Sequence, residues 1–323
     1  MKFHLFFSIL LLSGTIVSIF SFGNLENNTN HSNLHLTQTA YGHNFTPNES
    51  APFLAFVEQL QTESELVQMN LANNNISLAQ QHANNAVVLL TPNITREIAE
   101  QNQRVANDLT MAINDLQDII SSSSQQPQQQ LLIDQLVSNI DAILCEVVTT
   151  RIEQEQRDNA TILALAFADL VDSILANYGN AYAVDFDMTN MSNMVMTGST
   201  KDSLTMDNMI ASEGNNNIMS MESMDNSSTT KDGDEEISRN NSLVNVSNYQ
   251  SAHALSNKAL ETYNTELKPI ISGGTTAFAT NLENALTQLN DAIRNKSSPM
   301  DIMMIVHMQV HPNLLQTFGL GLQ

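Results

Sequence analysis

The segment VANDLTMAINDLQDII (105–120) matches FATNLENALTQLNDAI (278–293) without a gap. Six of the sixteen positions are identical: Ala106/Ala279, Leu109/Leu282, Ala112/Ala285, Leu116/Leu289, Asp118/Asp291 and Ile120/Ile293. The apolar positions of the first copy recur at helical spacing, which predicts an amphipathic helix rather than a strand. The surroundings repeat too. A His-Ala pair stands in the preceding helix of each copy, His82-Ala83 and His253-Ala254, and a Ser-rich turn, a proline (Pro127 or Pro299) and an apolar helix follow. The reading is a three-helix unit present twice around a central helical segment. Two such units hide their apolar stripes by closing into one all-α, antiparallel bundle.

Outward from the repeat, helical periods fill the chain. Phe53, Phe56, Val57, Leu60 and Leu66 space out one face up to about Asn70, and a helix resumes from Ile76 to Leu90. Thr91-Pro92 caps a long helix that runs through the first repeat copy. Residues 131–157 and 159–178 predict two more, the second being the bundle's central helix. Tyr249–Leu267 is a helix stopped by Pro269, and Thr275–Ile293 carries the second repeat copy.

The termini of this pattern set the organisation. Residues 1–23 read as an export signal, with Lys2 ahead of an apolar run and small residues near Ser21-Phe22-Gly23. Residues 24–50 read as a solvated tether, and 51–178 as the first unit plus the central helices. The pattern collapses over 179–247, a Met/Asn/Ser-rich insert expected to be disordered. Residues 248–323 complete the bundle. Of twelve N-x-Ser/Thr sequons, four lie in the tether and four in the insert, which fits a glycosylated protein secreted or held at the cell surface.

Composition narrows the function classes. Thirty-four acids against twelve bases give a formal net charge of −22, so the chain lacks the cations that bind nucleic-acid phosphates. After the signal no segment is both long and free of charge, so no transmembrane helix is expected in the mature chain. The lone Cys145 excludes an internal disulfide and sits in an apolar run, where a thiol is inert. There is no metalloprotease, nucleophile-elbow, phosphate-loop or EF-hand spacing. Di-iron bundles need Glu-x-x-His pairs, and three residues before His82, His253, His307 and His311 stand Ala79, Gln250, Met304 and Met308. Glu58, Glu63 and Glu65 have no histidine near them in sequence, and Asp169/Asp172 have no basic partner in view. A non-enzymatic protein is the expectation.

One stretch carries ligand chemistry. SPMDIMMIVHMQVH (298–311) begins with a capping Ser298, Pro299 in the first turn and Asp301 at the positive end of the dipole. On a helical wheel Met300, Met304, His307, Met308 and His311 share an arc of roughly 100°. Ile302, Ile305, Val306 and Val310 take the other side. Thioether with imidazole suits copper, and thioether favours Cu(I). The alternative is that these methionines fill the core. The repeat makes His82 and His253 equivalent and proposes them as neighbours of the His307/His311 face. Nine methionines from Met188 to Met224 offer a second set of soft ligands, the alternative being chance drift in a low-complexity tract. The implied partner is a copper ion or a copper protein. The other functional class is a structural or adhesive surface glycoprotein without metal.

The signal, the Asn-rich tether and RDNATILALAFADLVDSILANYGNAY (157–182) resemble uncharacterised exported, Asn-rich helical proteins of archaea. That resemblance implies an exported helical body and no particular reaction. The hairpins holding His-Ala are similar to small helical copper-binding proteins of bacterial periplasm, which are denser in histidine.

Overall fold

The computed structural model describes residues 45–122, 126–190, 242–271 and 276–320. Every described element is helical. In chain order they are α1 (Pro47–Ala72), α2 (Ile76–Leu89), α3 (Pro92–Gln101), α4 (Gln103–Ser121), α5 (Gln126–Arg151), the single turn α6 (Gln154–Arg157), α7 (Ala160–Ala181), α8 (Val246–Thr262), α9 (Thr276–Arg294), α10 (Pro299–Ile305) and α11 (His311–Phe318). A π-turn, Tyr263–Leu267, and a 3-10 turn, Lys268–Ile270, extend α8, while a second π-turn, Val306–Val310, joins α10 to α11.

Local chemistry explains the starts and breaks. Asn75, Asn102, Asn159, Asn245 and Ser298 each accept a backbone N–H from the first turn that follows, the cap those side chains provide. Asn102, extended at φ −151°, splits the expected long helix into α3 and α4. The body begins earlier than the tether boundary at residue 50. The Thr46 N–H and hydroxyl both donate to Glu49 Oε2 at 2.8 Å, and Phe45 is buried against Phe53 and under the guanidinium of Arg151. Thr46-Pro47-Asn48-Glu49 is a capping box legible in sequence.

The packing enlarges the repeat. Helices α1, α2, α4 and α5 pack in a closed ring, and α7, α8, α9 and the α10–α11 segment pack in a second. Each three-helix unit is thus closed by one further helix, α1 in the first ring and α7 in the second. They share Leu54-Ala55-Phe56 and Leu165-Ala166-Phe167, each followed two residues later by an acid, Glu58 or Asp169. The rings meet where α1 packs on α7 and α8, and α2 on α8. The matching repeat leucines Leu109, Leu116, Leu282 and Leu289 are at most 1% exposed, and burying each contributes about 1.5–3 kcal/mol. Helix α7, long and apolar enough to cross a membrane, packs instead against α1 and α8.

The insert is narrower than 179–247. Helix α7 continues to Ala181, residues 182–190 fold back over it, and α8 starts at Val246. Met188, read as part of the insert, is 2% exposed. Its thioether reaches the point where a Cβ on Gly179 would sit, 3.0 Å away, so the missing side chain is what lets the strap lie down. Residues 191–241, with the remaining methionines of the insert, lie outside the described residues.

Candidate metal-binding cleft

The last helical segment begins as its sequence predicts. Ser298 Oγ accepts the Asp301 N–H at 3.2 Å and donates to the Asp301 carboxylate at 2.7 Å. The regular spacing then fails. Pro312 has no N–H, and a proline ring inside a helix clashes with the carbonyl four residues back, here Met308. The chain relieves this by widening to a π-turn over Val306–Val310, in which the His311 N–H reaches back five residues to Val306 O. Pro269 stands in the same relation to Tyr263–Leu267, where the Lys268 N–H reaches Tyr263 O. Wide turns of this kind are frequent at functional sites.

The segment buries Ile302, Met303, Ile305, Val306, Val310 and Leu314. Met300, Met304 and Met308 are 39%, 50% and 61% exposed, so the reading of these three as core filler does not describe them. The five donors do share the outward arc, but that arc straddles a ridge. Its flanks face different helices. Met304 and Met308 lie over α9, beside Gln288 and Asp291. His307 and His311 turn to α7, where with Ala168, Asp172 and Leu314 they line a cleft of about 680 Å³. The expected thioether–imidazole set is thus divided.

Within the cleft the two rings are 5.3 Å apart and nearly perpendicular. His307 Nε2 lies 2.9 Å from the carbonyl of Met188 on the strap. A carbonyl only accepts, so Nε2 carries the hydrogen and Nδ1 keeps its lone pair. His311 Nε2 stands 3.4 Å from Asp172 Oδ1, and neither atom has a hydrogen-bond partner among the described residues. Burial, helped by neighbouring His307, pushes His311 down to about 4. Burial, with Asp169 and Asp187 nearby, pushes Asp172 up to about 7. At neutral pH His311 is uncharged with its ring ready to donate a lone pair, the state a metal requires. The described flanks of residues 191–241 both reach this end of α7. Met188 packs on Gly179, and the Val244 and Asn245 N–H groups both donate to Ala181 O, at 2.8 and 3.0 Å.

The other two histidines are elsewhere. His82 is fully buried, with Nδ1 2.8 Å from Glu63 Oε2 and Nε2 2.8 Å from Gln250 Oε1. Both ring nitrogens are engaged, which leaves no lone pair for an ion. Glu63, without a histidine near it in sequence, also accepts from the Ser251 hydroxyl at 2.5 Å and from Asn85 at 3.1 Å. His253, the repeat equivalent, is half-exposed and stacks parallel on Tyr249 at 6.3 Å. Neither lines the cleft. Among the described residues no three His, Cys, Asp or Glu side chains converge on one point as a ready-made ion site. Burial and Asp141 push the Cys145 thiol up, away from the reactive thiolate.

The sequence singled out Asp169/Asp172 but left them without a partner, because His311 stands 139 positions after Asp172. The one available signal was an acid on an otherwise apolar helix. Fold and site together define a helical-bundle protein with an imidazole-lined cleft. No protein-family model, no curated protein and no solved structure matches the chain.

Proposed function

We propose that this is an exported, non-enzymatic helical protein that binds copper in the cleft between α7 and the last helical segment. The observation that carries the reading is the pairing of two adjacent imidazoles with Asp172, where His311 Nε2 and Asp172 Oδ1 face one another without hydrogen-bond partners among the described residues. His307 Nδ1, His311 Nε2 and Asp172 would hold the ion after their side chains turn to converge on it, with water completing its shell. Two nitrogens and a carboxylate oxygen suit Cu(II) or Zn(II), and the usual order of affinities puts Cu(II) first. The thioethers of Met304 and Met308 lie on the other flank, so Cu(I) is no longer the favoured state for this site.

Titration of the mature protein with Cu(II) and Zn(II) against a competing chelator tests this. His307→Ala with His311→Ala should abolish the tight Cu(II) phase, and Met304→Leu with Met308→Leu should leave it intact. Equal Cu(II) affinity in the wild type and the double-histidine variant would end the proposal.

A second reading, a structural or adhesive surface glycoprotein, has its own support. The sequon asparagines Asn48, Asn75, Asn93, Asn159, Asn190 and Asn295 are all exposed. At Asn75 and Asn159 the cap uses Oδ1, which leaves the amide nitrogen where a glycan attaches. Mass spectrometry of the natively produced protein decides it, since unmodified peptides at all six positions would remove that support.

A further inference from the structure

A second polar region lies where the two four-helix rings meet, and it is independent of the cleft. Its floor is Glu58 of α1, which is 2% exposed. Lys258 of α8 pairs with it across the junction, its ammonium 3.4 Å from Glu58 Oε2, and no other donor reaches either Glu58 oxygen among the described residues. One turn along α1, Gln61 Oε1 is likewise buried without a donor, and so is Asp141 Oδ1 of α5. Glu266, on the π-turn after α8, adds a half-buried carboxyl, and Glu65 and Glu261 form an exposed rim.

Five carboxyls therefore act on one ammonium, and the innermost, Glu58, has that ammonium as its one partner. A buried carboxylate in that position is costly, whereas a neutral carboxylic acid is tolerated. Burial accordingly raises Glu58 to about 7 against the pull of Lys258, with Glu65 and Glu266 adding to the rise. It raises Glu266 to about 7, against Lys258. Asp141 rises to about 6, against Gln61 and Lys258. Burial opposes the charge on Lys258 too, but Glu58, Glu65 and Glu261 hold its ammonium above its ordinary value. Of the other helices packed on α1, α2 brings His82, which is engaged by Glu63, and α7 brings Asp172, which burial and Asp169 also push up to about 7. Asp172 thus adds to the wild-type loss in the same window, and only the seam variants isolate the clasp.

We propose that this seam is a proton-operated clasp: protonation of Glu58, Asp141 and Glu266 holds the two rings together, and their ionisation loosens the junction. The folded protein holds these protons more tightly than the unfolded chain. Stability is therefore fullest below the ordinary carboxyl range near 4.5 and is lost as pH rises through about 6 to 7. His311, whose folded value is lowered, works in the opposite direction and between about 6.5 and 4, so the two windows separate above pH 6.5.

The test is thermal unfolding and small-angle scattering of the whole mature protein at pH 5.5 and pH 8, with Glu58→Gln and Glu266→Gln. The wild type should lose thermal midpoint and swell between the two conditions. At pH 8 either variant should raise the midpoint by about 4 °C or more, while changing little at pH 5.5. Glu266 is only half-buried, so its variant keeps the test sharp if Glu58→Gln folds poorly. A wild-type midpoint independent of pH would overturn the clasp. So would a fall that both variants merely parallel, or variants that lose stability equally at the two pH values, the signature of a static Glu58–Lys258 ion pair.

Discussion

The two rings of helices share a sequence pattern and differ in what they do with polar groups. In the first ring the repeat histidine, His82, is sealed in and pinned by Glu63 and Gln250. In the second its counterpart, His253, stacks half-exposed on Tyr249. Helix α4 runs regularly for its full length. The second ring is opened twice by wide turns ahead of Pro269 and Pro312, and those turns carry Glu266 and His307. A proline inside a packed helix leaves the bundle standing but re-aims the side chains of the preceding turn. The first ring is thus the regular copy, and the second holds the irregularities that make a cleft and a titratable seam.

The strongest way to break the comparison is through the cores, where the copies should be equal. Leu116→Ala and Leu289→Ala each remove a leucine at most 1% exposed and should each cost about 2–5 kcal/mol. Urea unfolding measures both, and a cost under 1 kcal/mol at one of them would show that the copies do not bury their repeats alike. The histidines should then diverge. His82→Ala strips Glu63 and Gln250 of a partner in a closed site and should cost about 1–3 kcal/mol, while His253→Ala stays within about 0.5 kcal/mol. Equal losses would deny the difference between the rings. The last test concerns the strap, residues 182–190. Gly179→Leu places a side chain where the Met188 thioether lies at 3.0 Å. It should cost about 1–2 kcal/mol, because the thioether is flexible enough to give way in part. It should also weaken Cu(II) binding, since the carbonyl that orients His307 moves with Met188. Unchanged affinity in the folded variant would detach the strap from the cleft.

Much of the fold was legible because it is local. The repeat leucines, the Asn and Ser caps and the prolines at helix starts act within one or two turns, so their meaning does not depend on distant packing. Two local signals were passed over. The Thr46–Glu49 capping box extends the body to Phe45, and the shared Leu-Ala-Phe of α1 and α7 marks the helix that closes each three-helix unit into a ring. The site was less legible. A wheel drawn at constant pitch puts His307, Met304 and Met308 together, and they do share the exposed arc. It does not say that the arc lies across a ridge between α7 and α9.

By itself the sequence determined an all-α chain, twice-repeated, with its apolar stripes, caps and proline breaks in place. Each of these follows from interactions between residues within a few positions of one another. Only the tertiary structure decided which groups meet: His311 with Asp172, His82 with Glu63 and Gln250, and Lys258 with Glu58. Those pairs join residues 19 to 200 positions apart. They depend on how whole helices rotate and cross against one another, and no local spacing of residues records that rotation.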